Sequence, residues 1–301
     1  MKTQQTKQQH YAFWVKLAST AAVVTALTLI ALKLYAWLVT DSASMLASLT
    51  DSLLDGGASL FSFFAIRYAI QPADDEHRFG HGKAESLAAL AQSAFISGSA
   101  LLLVFHSIQQ WLHGQPPQRT DAGIYVSIAA IVLTLILLTI QKRAIHHTRS
   151  QAVQADSLHY QSDIMLNLTV LVALLLSQWG LHWADSAFAL LIAVYLLWGA
   201  AHIGKDAFQS LMDRELPIEQ QQLIMTHAAA IEGVRGVHGL RTRSSGPTTF
   251  IQLHIELDNE ISLLRAHAIA DQVETAIMQQ LPDADILVHM DPLLVVPLEP
   301  R

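Results

Sequence analysis

Two pairs of acidic and histidine residues have the spacing of metal ligands on a helix: Asp51 with Asp55, and His159 with Asp163. Residues four apart share a helix face, so each pair would present two ligands to one neighbour. Three carboxylates and one imidazole suit a tetrahedral divalent cation, Zn²⁺ first and Cd²⁺ or Fe²⁺ as alternatives. Both pairs lie in or beside apolar segments, where charge is costly, which favours ligands over helix-end charges. For Asp156 we favour the interpretation as a helix-end charge.

A second group of candidate ligands lies in the run DDEHRFGHGK from residue 74 to residue 83. Within it, Asp74, His77 and His81 have spacings that a metal ion could use. A solvated acidic loop without a metal explains the same residues equally well, because short mixed runs of His and Asp are common. The sequence alone leaves both interpretations of this loop open.

A third group lies near the C-terminus. His289 and Asp291 are two residues apart on a predicted strand, so they share one face of it. His254 lies on the polar face of another predicted strand, and His238 and His267 could join from a neighbouring strand and helix. Five possible ligands in one small region indicate a metal site, although exposed histidines without a metal are an equal alternative.

The composition indicates that membrane helices position the first two pairs. Hydrophobic residues make up 52% of the chain and charged residues only 14%, whereas a soluble domain carries roughly 25% charged residues. This excludes disorder, a coiled coil and an ordinary cytosolic enzyme. The chain has 0 cysteines, which excludes disulfides and thiolate metal sites, and it has no basic patch that would suggest a nucleic-acid partner.

A helix needs about 20 mainly apolar residues to cross a lipid bilayer, and six segments meet or approach this requirement. One of them carries Lys16 and Lys33 near its ends, where lysine side chains can snorkel to the interface. Another carries the first aspartate pair. We therefore predict six membrane-spanning helices within residues 1–210. The segments are 13–39, 43–70, 86–118, 122–141, 164–184 and 186–204.

Loops that carry several basic residues alternate with loops that carry almost none. They cluster at the N-terminus, between the second and third segments, and between the fourth and fifth. The other loops, near Thr40, Pro116–Pro117 and Gly180, carry almost none. The positive-inside rule therefore predicts that the N-terminus and the C-terminus both lie in the cytoplasm.

The remainder of the chain, residues 211–301, has a different character. The first 204 residues hold equal numbers of acidic and basic residues, so the whole net charge of −7 falls on residues 205–301. Apolar residues alternate with polar ones from Ile251 to Leu257, the pattern of a half-buried strand. We predict a cytoplasmic α–β–β–α–β domain, with helices at 217–231 and 262–280 and strands at 234–243, 250–257 and 284–291.

Three kinds of function could use an intramembrane set of four ligands. A membrane metal-dependent hydrolase needs an open coordination position and usually an H-E-x-x-H run, which the sequence lacks, so we expect no enzyme. A passive metal channel stays an alternative, although a closed set of ligands would hold the ion rather than pass it. We favour a carrier that exchanges the metal for protons, because metals bind only deprotonated ligands.

The two ligand pairs, the run from Gln71 to Glu85 and the His289-x-Asp291 motif together resemble the cation diffusion facilitator family over nearly the whole chain. The resemblance implies an all-α membrane domain of six helices and a cytoplasmic α+β domain of αββαβ order, like a metallochaperone, in a homodimer. It also implies a multi-pass exporter of Zn²⁺, Cd²⁺ or Fe²⁺ in a bacterial inner membrane. The short segment 141–150 favours the bacterial efflux type, because eukaryotic vesicular members carry a long His-rich loop there.

The resemblance also implies roles for individual residues that spacing does not show. The transport site would be Asp51, Asp55, His159 and Asp163, and the loop site Asp74, His77 and His81. A binuclear cytoplasmic site at the dimer contact, with Zn²⁺ as a structural or regulatory ion, would be His238, His254, His267, His289 and Asp291. Lys83 and Asp213 would form a charge interlock between the domains, and Leu158 a hydrophobic gate.

Overall fold

The structure is a computed structural model that describes residues 2–40, 43–113, 121–177 and 184–294. The sparsely charged loops predicted near Thr40, Pro116–Pro117 and Gly180 fall largely outside these ranges. Within them, the first part of the chain is helical. Its helices are α1 (Lys2–Thr40), α2 (Ala43–Ala69), α3 (Lys83–His113), α4 (Asp121–Thr148), α5 (Gln151–Ser177) and α6 (Ala184–Leu211).

Four of these helices, α1, α3, α4 and α6, are long and apolar enough to cross a membrane. Among the described residues, four of the six predicted spans therefore meet the length and hydropathy that a membrane span needs, and for α2 and α5 the expectation stays a prediction. Helix α2 carries Asp51 and Asp55, and α5 carries Asp156, His159 and Asp163. These polar side chains lower the mean hydropathy of the two helices that hold the candidate ligands.

Helix α5 lies in the middle of the bundle, in contact with α1, α2, α3, α4 and α6. Small residues let its neighbours approach closely. A Cβ atom on Gly199 of α6 would lie 2.8 Å from Leu158 Cδ2 of α5, and one on Gly204 would lie 2.7 Å from Ser93 Oγ of α3. The ligands on α5 are thus surrounded by other helices rather than by lipid alone.

We call the part of the chain that follows α6 the tail domain. It lies at the same end of the bundle as the start of α1, the α2–α3 loop and the α4–α5 connection. Tyr11 Oη donates a hydrogen bond to Glu85 at the start of α3. Trp14 of α1 stacks on His147 at the end of α4, with ring centroids 4.7 Å apart. The three segments that hold the most basic residues therefore lie at one end of the bundle, the arrangement that the positive-inside rule predicts.

The tail is an α+β domain with the predicted order of elements. It contains α7 (Ile218–Ala229), β1 (Gly236–Ser245), β2 (Thr248–Leu257), α8 (Leu263–Gln280) and β3 (Ala284–Pro292). The three-stranded sheet has the order β1-β2-β3, with β1 antiparallel and β3 parallel to β2. Ser262 begins α8 by accepting a hydrogen bond from the backbone N–H of Arg265.

One face of this sheet forms the core of the tail. Ile251, Leu253 and Ile255 of β2 are buried against α7 and α8, whose Ile224 and Val273 are also buried. Side chains alternate along a strand, so the even-numbered residues of β2 lie on the opposite face. That alternation leaves one sheet face for polar side chains.

Candidate metal centres

Asp55, His159 and Asp163 come together between α2 and α5. Their ligand atoms all lie within 4.8 Å of one another, and His159 Nε2 lies 3.0 Å from Asp55 Oδ1. His159 is buried, whereas both aspartates are partly exposed. One cation placed among these atoms could therefore contact all three side chains.

Asp51 lies one helical turn before Asp55 and is not part of this close trio. It lines the same cavity, which has a volume of about 220 Å³ and is also lined by Asp55, Asp163, Tyr160 and Thr134. Asp51 is exposed. The four predicted transport-site residues thus lie around one region, with three close together and Asp51 further out.

Lys33 of α1 lines this cavity as well, and the prediction that its side chain snorkels to the interface stays a prediction. Its Nζ donates hydrogen bonds to Ser52 Oγ at 2.6 Å and to the carbonyl oxygen of Ser48 at 3.2 Å. It lines the cavity beside Asp51 and Asp55. Helix α2 supplies acceptors at this depth, which the sequence of α1 alone could not reveal.

Asp156 is buried inside the bundle, with 4% of its surface exposed, so its interpretation as a helix-end charge is wrong. It accepts hydrogen bonds from Ser59 Oγ at 3.0 Å, Gln92 Nε2 at 3.2 Å and Gln141 Nε2 at 2.7 Å. These donors come from α2, α3 and α4, so Asp156 joins α5 to three other helices. Its i, i+3 spacing to His159 was the available signal, because such residues share a face.

Leu158, the predicted gate, packs on the side of α5 that faces α3 and α6. It is buried in an apolar cluster with Ile96 of α3 and Leu196 of α6. A Cβ atom on Gly199 of α6 would lie only 2.8 Å from the Cδ2 atom of Leu158. Leu158 therefore fills the α3–α5–α6 contact next to His159, and its role as a gate stays a prediction.

The loop residues Asp74, His77 and His81 also come together, with ligand atoms within 4.8 Å of one another. His81 Nε2 lies 3.3 Å from Asp74 Oδ2, and His77 Nδ1 lies 3.5 Å from Asp74 Oδ1. The backbone N–H groups of His77 and Glu76 donate to Asp74 and hold the pKa of its carboxyl below the ordinary value. His81 is buried and its Nδ1 has no hydrogen-bond partner among the described residues.

The predicted charge interlock joins this loop to the tail. Lys83 Nζ lies 2.9 Å from Asp213 Oδ1, and Arg243 of β1 lies 3.7 Å from the same oxygen. Asp213 has a φ of 56°, a conformation that non-glycine residues adopt with some strain. The end of α6, the start of α3 and the sheet of the tail therefore meet at one carboxylate.

A second contact, which the sequence did not predict, strengthens this connection. The guanidinium of Arg243 lies 4.8 Å from the ring centroids of both Phe79 and Phe250, and these two rings pack edge to face at 5.5 Å. A Cβ atom on Gly82 would lie 2.5 Å from the carbonyl carbon of Ser245. Only glycine permits this approach of the loop to the β1–β2 turn.

In the tail, three histidines stand side by side across the sheet. His238 pairs with His254, which pairs with His289, in the register of β1, β2 and β3. Asp291 lies beside them: its Oδ2 is 2.8 Å from His254 Nδ1 and 3.5 Å from His238 Nε2, and its Oδ1 is 3.1 Å from His289 Nε2. This set of nitrogen and oxygen donors suits Zn²⁺.

Two residues differ from the predicted membership of the tail cluster. His267 of α8 is exposed and lies near Asp271, with 3.7 Å between Nε2 and Oδ2, and within the described residues it is not part of the close group formed by His238, His254 and Asp291. Glu256, which sequence analysis missed as a ligand, has its Oε1 3.2 Å from His238 Nδ1. Its place two residues after His254 on the same strand face was the available signal.

The comparisons with known proteins cover almost the whole chain. The family "Cation efflux transmembrane domain" matches residues 19–212, and the family "Cation efflux protein, cytoplasmic domain" matches residues 216–293. The two matches include every candidate ligand described above.

Curated relatives are about half identical to this chain. "Cation-efflux pump FieF" of Cronobacter sakazakii is 53% identical over 287 residues, which cover 95% of this chain and 96% of the relative. "Cation-efflux pump FieF" of Shewanella oneidensis is 53% identical over 292 residues, which cover 97% of this chain and 99% of the relative.

Among solved structures, the zinc form of CzrB is 27% identical and covers 29% of this chain and 99% of that structure, with a TM-score of 0.26. On the strength of the two family matches and the curated relatives, this chain belongs to the cation diffusion facilitator family of cation-efflux membrane transporters.

Proposed function

We propose that this transporter exports Zn²⁺ from the cytoplasm to the periplasm in exchange for protons, with Cd²⁺ or Fe²⁺ as alternative cargo. The observation that supports this proposal is the close approach of the ligand atoms of Asp55, His159 and Asp163, within 4.8 Å of one another. Oxygen and imidazole nitrogen ligands suit Zn²⁺. Asp51, in the same cavity, would complete four-fold coordination after a movement towards the other three ligands.

Proton exchange follows from the chemistry of these ligands. A carboxylate or imidazole must lose its proton before it binds a metal, so loading the site releases protons. On the other side of the membrane, protons that return to the ligands would displace the metal. A proton gradient directed inwards would thus drive Zn²⁺ outwards through one set of side chains.

The bundle supports alternating access around α5. Helix α5 carries His159 and Asp163 and is packed against several other helices, so a tilt of α5 relative to α3 and α6 would open the site to one side at a time. Leu158 fills the α3–α5–α6 contact beside His159. In this proposal Leu158 closes that path while the site faces the opposite side.

The tail would sense cytoplasmic metal and hold two copies of the chain together. The ligand atoms of His238, His254 and Asp291 lie within 4.8 Å of one another, and His289 Nε2 lies 3.1 Å from Asp291 Oδ1, which supports a Zn²⁺ site. Among the described residues of one chain, His267 is not part of this close group, and in a homodimer it would be available to a second ion at the contact. The Lys83–Asp213 ion pair would transmit movement between tail and bundle.

We also propose that the chain lies in a bacterial inner membrane with both termini in the cytoplasm. Support comes from the position of the basic segments at one end of the bundle, the end at which Lys83 contacts the tail. Cysteine labelling of single-cysteine variants in intact cells would test this orientation, because the chain has no native cysteine. Labelling of a tail position by an impermeant reagent would contradict it.

The central test measures Zn²⁺ flux into proteoliposomes with an imposed proton gradient. Asp55→Ala and His159→Ala should each lower the flux at least about tenfold, because each removes a ligand. The matched controls are Asp206→Ala and His202→Ala on α6, whose side chains are well exposed, and they should transport normally. Undiminished flux in both ligand variants would contradict the proposed site. Flux that is unsaturable and independent of the proton gradient would indicate a passive channel instead.

A further inference from the structure

The charges around the candidate transport site do not balance when only its ligands are considered. Three carboxylates bind a divalent cation as anions, while the imidazole of His159 binds it as a neutral group. With Zn²⁺ in place, the set of Asp51, Asp55, His159 and Asp163 would therefore keep one negative charge. A net charge at membrane depth is costly unless another group compensates it.

Lys33 is the cation that the structure places beside these carboxylates. It lines the same cavity as Asp51, Asp55 and Asp163, and opposite charges that share a poorly solvated cavity attract one another. Helix α1, which carries Lys33, is a candidate membrane span over residues 8–39. Lys33 thus lies within the apolar part of the chain and not in a basic loop.

The hydrogen bonds of Lys33 hold its ammonium group close to the site without occupying the ligand positions. Its Nζ donates to Ser52 Oγ at 2.6 Å and to the carbonyl oxygen of Ser48 at 3.2 Å. Ser52 is next to Asp51 in α2 and is buried. These neutral acceptors leave the carboxylate oxygens available to a metal ion.

We propose that Lys33 is a built-in counter-charge that compensates the negative charge of the four metal-loaded ligands. This inference rests on the proposed function and adds a residue to it. The ammonium compensates the one negative charge left by three carboxylates and a dication. Lys33 also repels the metal, which weakens binding and so favours release. Lys33 is a positioning residue in this scheme, since it acts on the cargo through the electrostatic field and does not bind it.

The experiment compares KM and maximal rate of Zn²⁺ uptake by proteoliposomes for wild type, Lys33→Gln and Lys33→Arg. Lys33→Gln should lower KM at least about tenfold, since the repulsion of the dication is removed. It should also lower the maximal rate about tenfold or more, because the loaded site then carries a net charge. Lys33→Arg keeps the charge and should behave like wild type.

A role of Lys33 in helix packing alone is tested with Ser52→Ala. This variant removes the shorter hydrogen bond to Lys33 but leaves the one to the carbonyl oxygen of Ser48, which keeps the ammonium in the cavity, so KM and maximal rate should stay close to wild type. Lys16→Gln on the same helix is the control for loss of a lysine outside the cavity. If Ser52→Ala reproduces the kinetics of Lys33→Gln, the counter-charge proposal is overturned.

Folding defects are separated from charge effects by chemical modification of a single folded preparation. Lys33→Cys supplies a unique thiol, because the chain has 0 cysteines. Aminoethyl methanethiosulfonate restores a positive charge there, whereas methyl methanethiosulfonate adds a neutral group. The aminoethyl form should recover wild-type KM and rate, and equal kinetics of the two forms would overturn the proposal. Absence of Zn²⁺ uptake by wild type would contradict the proposed function itself, whereas wild-type uptake with unchanged Lys33→Gln kinetics contradicts the inference alone.

Discussion

Removal of the buried carboxylate of Asp156 should destabilise the helix bundle measurably. In Asp156→Ala the Ser59 hydroxyl and the side-chain amides of Gln92 and Gln141 lose their acceptor, at distances of 3.0, 3.2 and 2.7 Å in the native protein. A hydrogen bond of this kind contributes about 0.6–1.5 kcal/mol inside a membrane or protein interior. Three such bonds give an expected loss of about 2–4 kcal/mol in the free energy of unfolding.

Asp156→Asn is the matched control, because it keeps the size of the side chain and one carbonyl acceptor. Its new NH₂ group would face the NH₂ group of Gln141. Rotation of the Gln141 amide relieves this conflict, since Gln141 Oε1 is buried with no hydrogen-bond partner among the described residues and can accept from the asparagine. We therefore expect Asp156→Asn to lie within about 1 kcal/mol of wild type.

The measurement is unfolding by SDS in mixed detergent micelles, followed by helical circular dichroism for all three proteins. A loss of less than about 0.5 kcal/mol for Asp156→Ala would refute the argument that this carboxylate joins four helices. Equal losses for the alanine and asparagine variants would refute the assignment of the contribution to hydrogen bonds that Gln141 can re-form. Zn²⁺ flux of the asparagine variant then reports whether the α5 ligands keep their position.

Three further predictions concern the loop and the tail. Gly82→Ala places a Cβ atom 2.5 Å from the carbonyl carbon of Ser245, so the loop and turn must separate, and amides 244–246 should lose about tenfold or more of their protection from hydrogen exchange. Hydrogen bonds from Arg235 hold the pKa of the Asp258 carboxyl below its ordinary value. This pair stabilises the tail at neutral pH and loses its contribution as pH falls through the lowered value, so Asp258→Asn should lower the melting temperature slightly at pH 7 and not in strong acid. His254→Ala should weaken Zn²⁺ binding by the tail at least about tenfold in isothermal titration.

Each of these predictions has a control within the chain. Gly98→Ala adds a methyl group where nothing lies within 4 Å, so exchange at 244–246 should not change. A stability difference for Asp258→Asn that persists in strong acid would show that the loss is not electrostatic. His227→Ala removes a histidine of α7 that is bound to Leu223 of its own helix, and Zn²⁺ binding should be unaffected.

The sequence alone determined the helix faces that carry the transport ligands and the order of elements in the tail. Residues four apart must share a helix face and residues two apart must share a strand face, whatever surrounds them. Asp51 with Asp55, and His159 with Asp163, could therefore be paired in advance. The apolar composition was equally decisive for α1, α3, α4 and α6, because length and hydropathy need no knowledge of neighbours.

Only the tertiary structure decided what lies opposite each of these faces. Lys33 contacts acceptors on α2, and Asp156 is enclosed by donors from α2, α3 and α4. The sequence indicated neither set of partners, because they are 15 to 97 residues away along the chain. The side-by-side row of three histidines depends on strand register, which a shift of one residue would destroy. Contacts between distant segments are set by packing of the whole molecule, and local spacing carries no record of them.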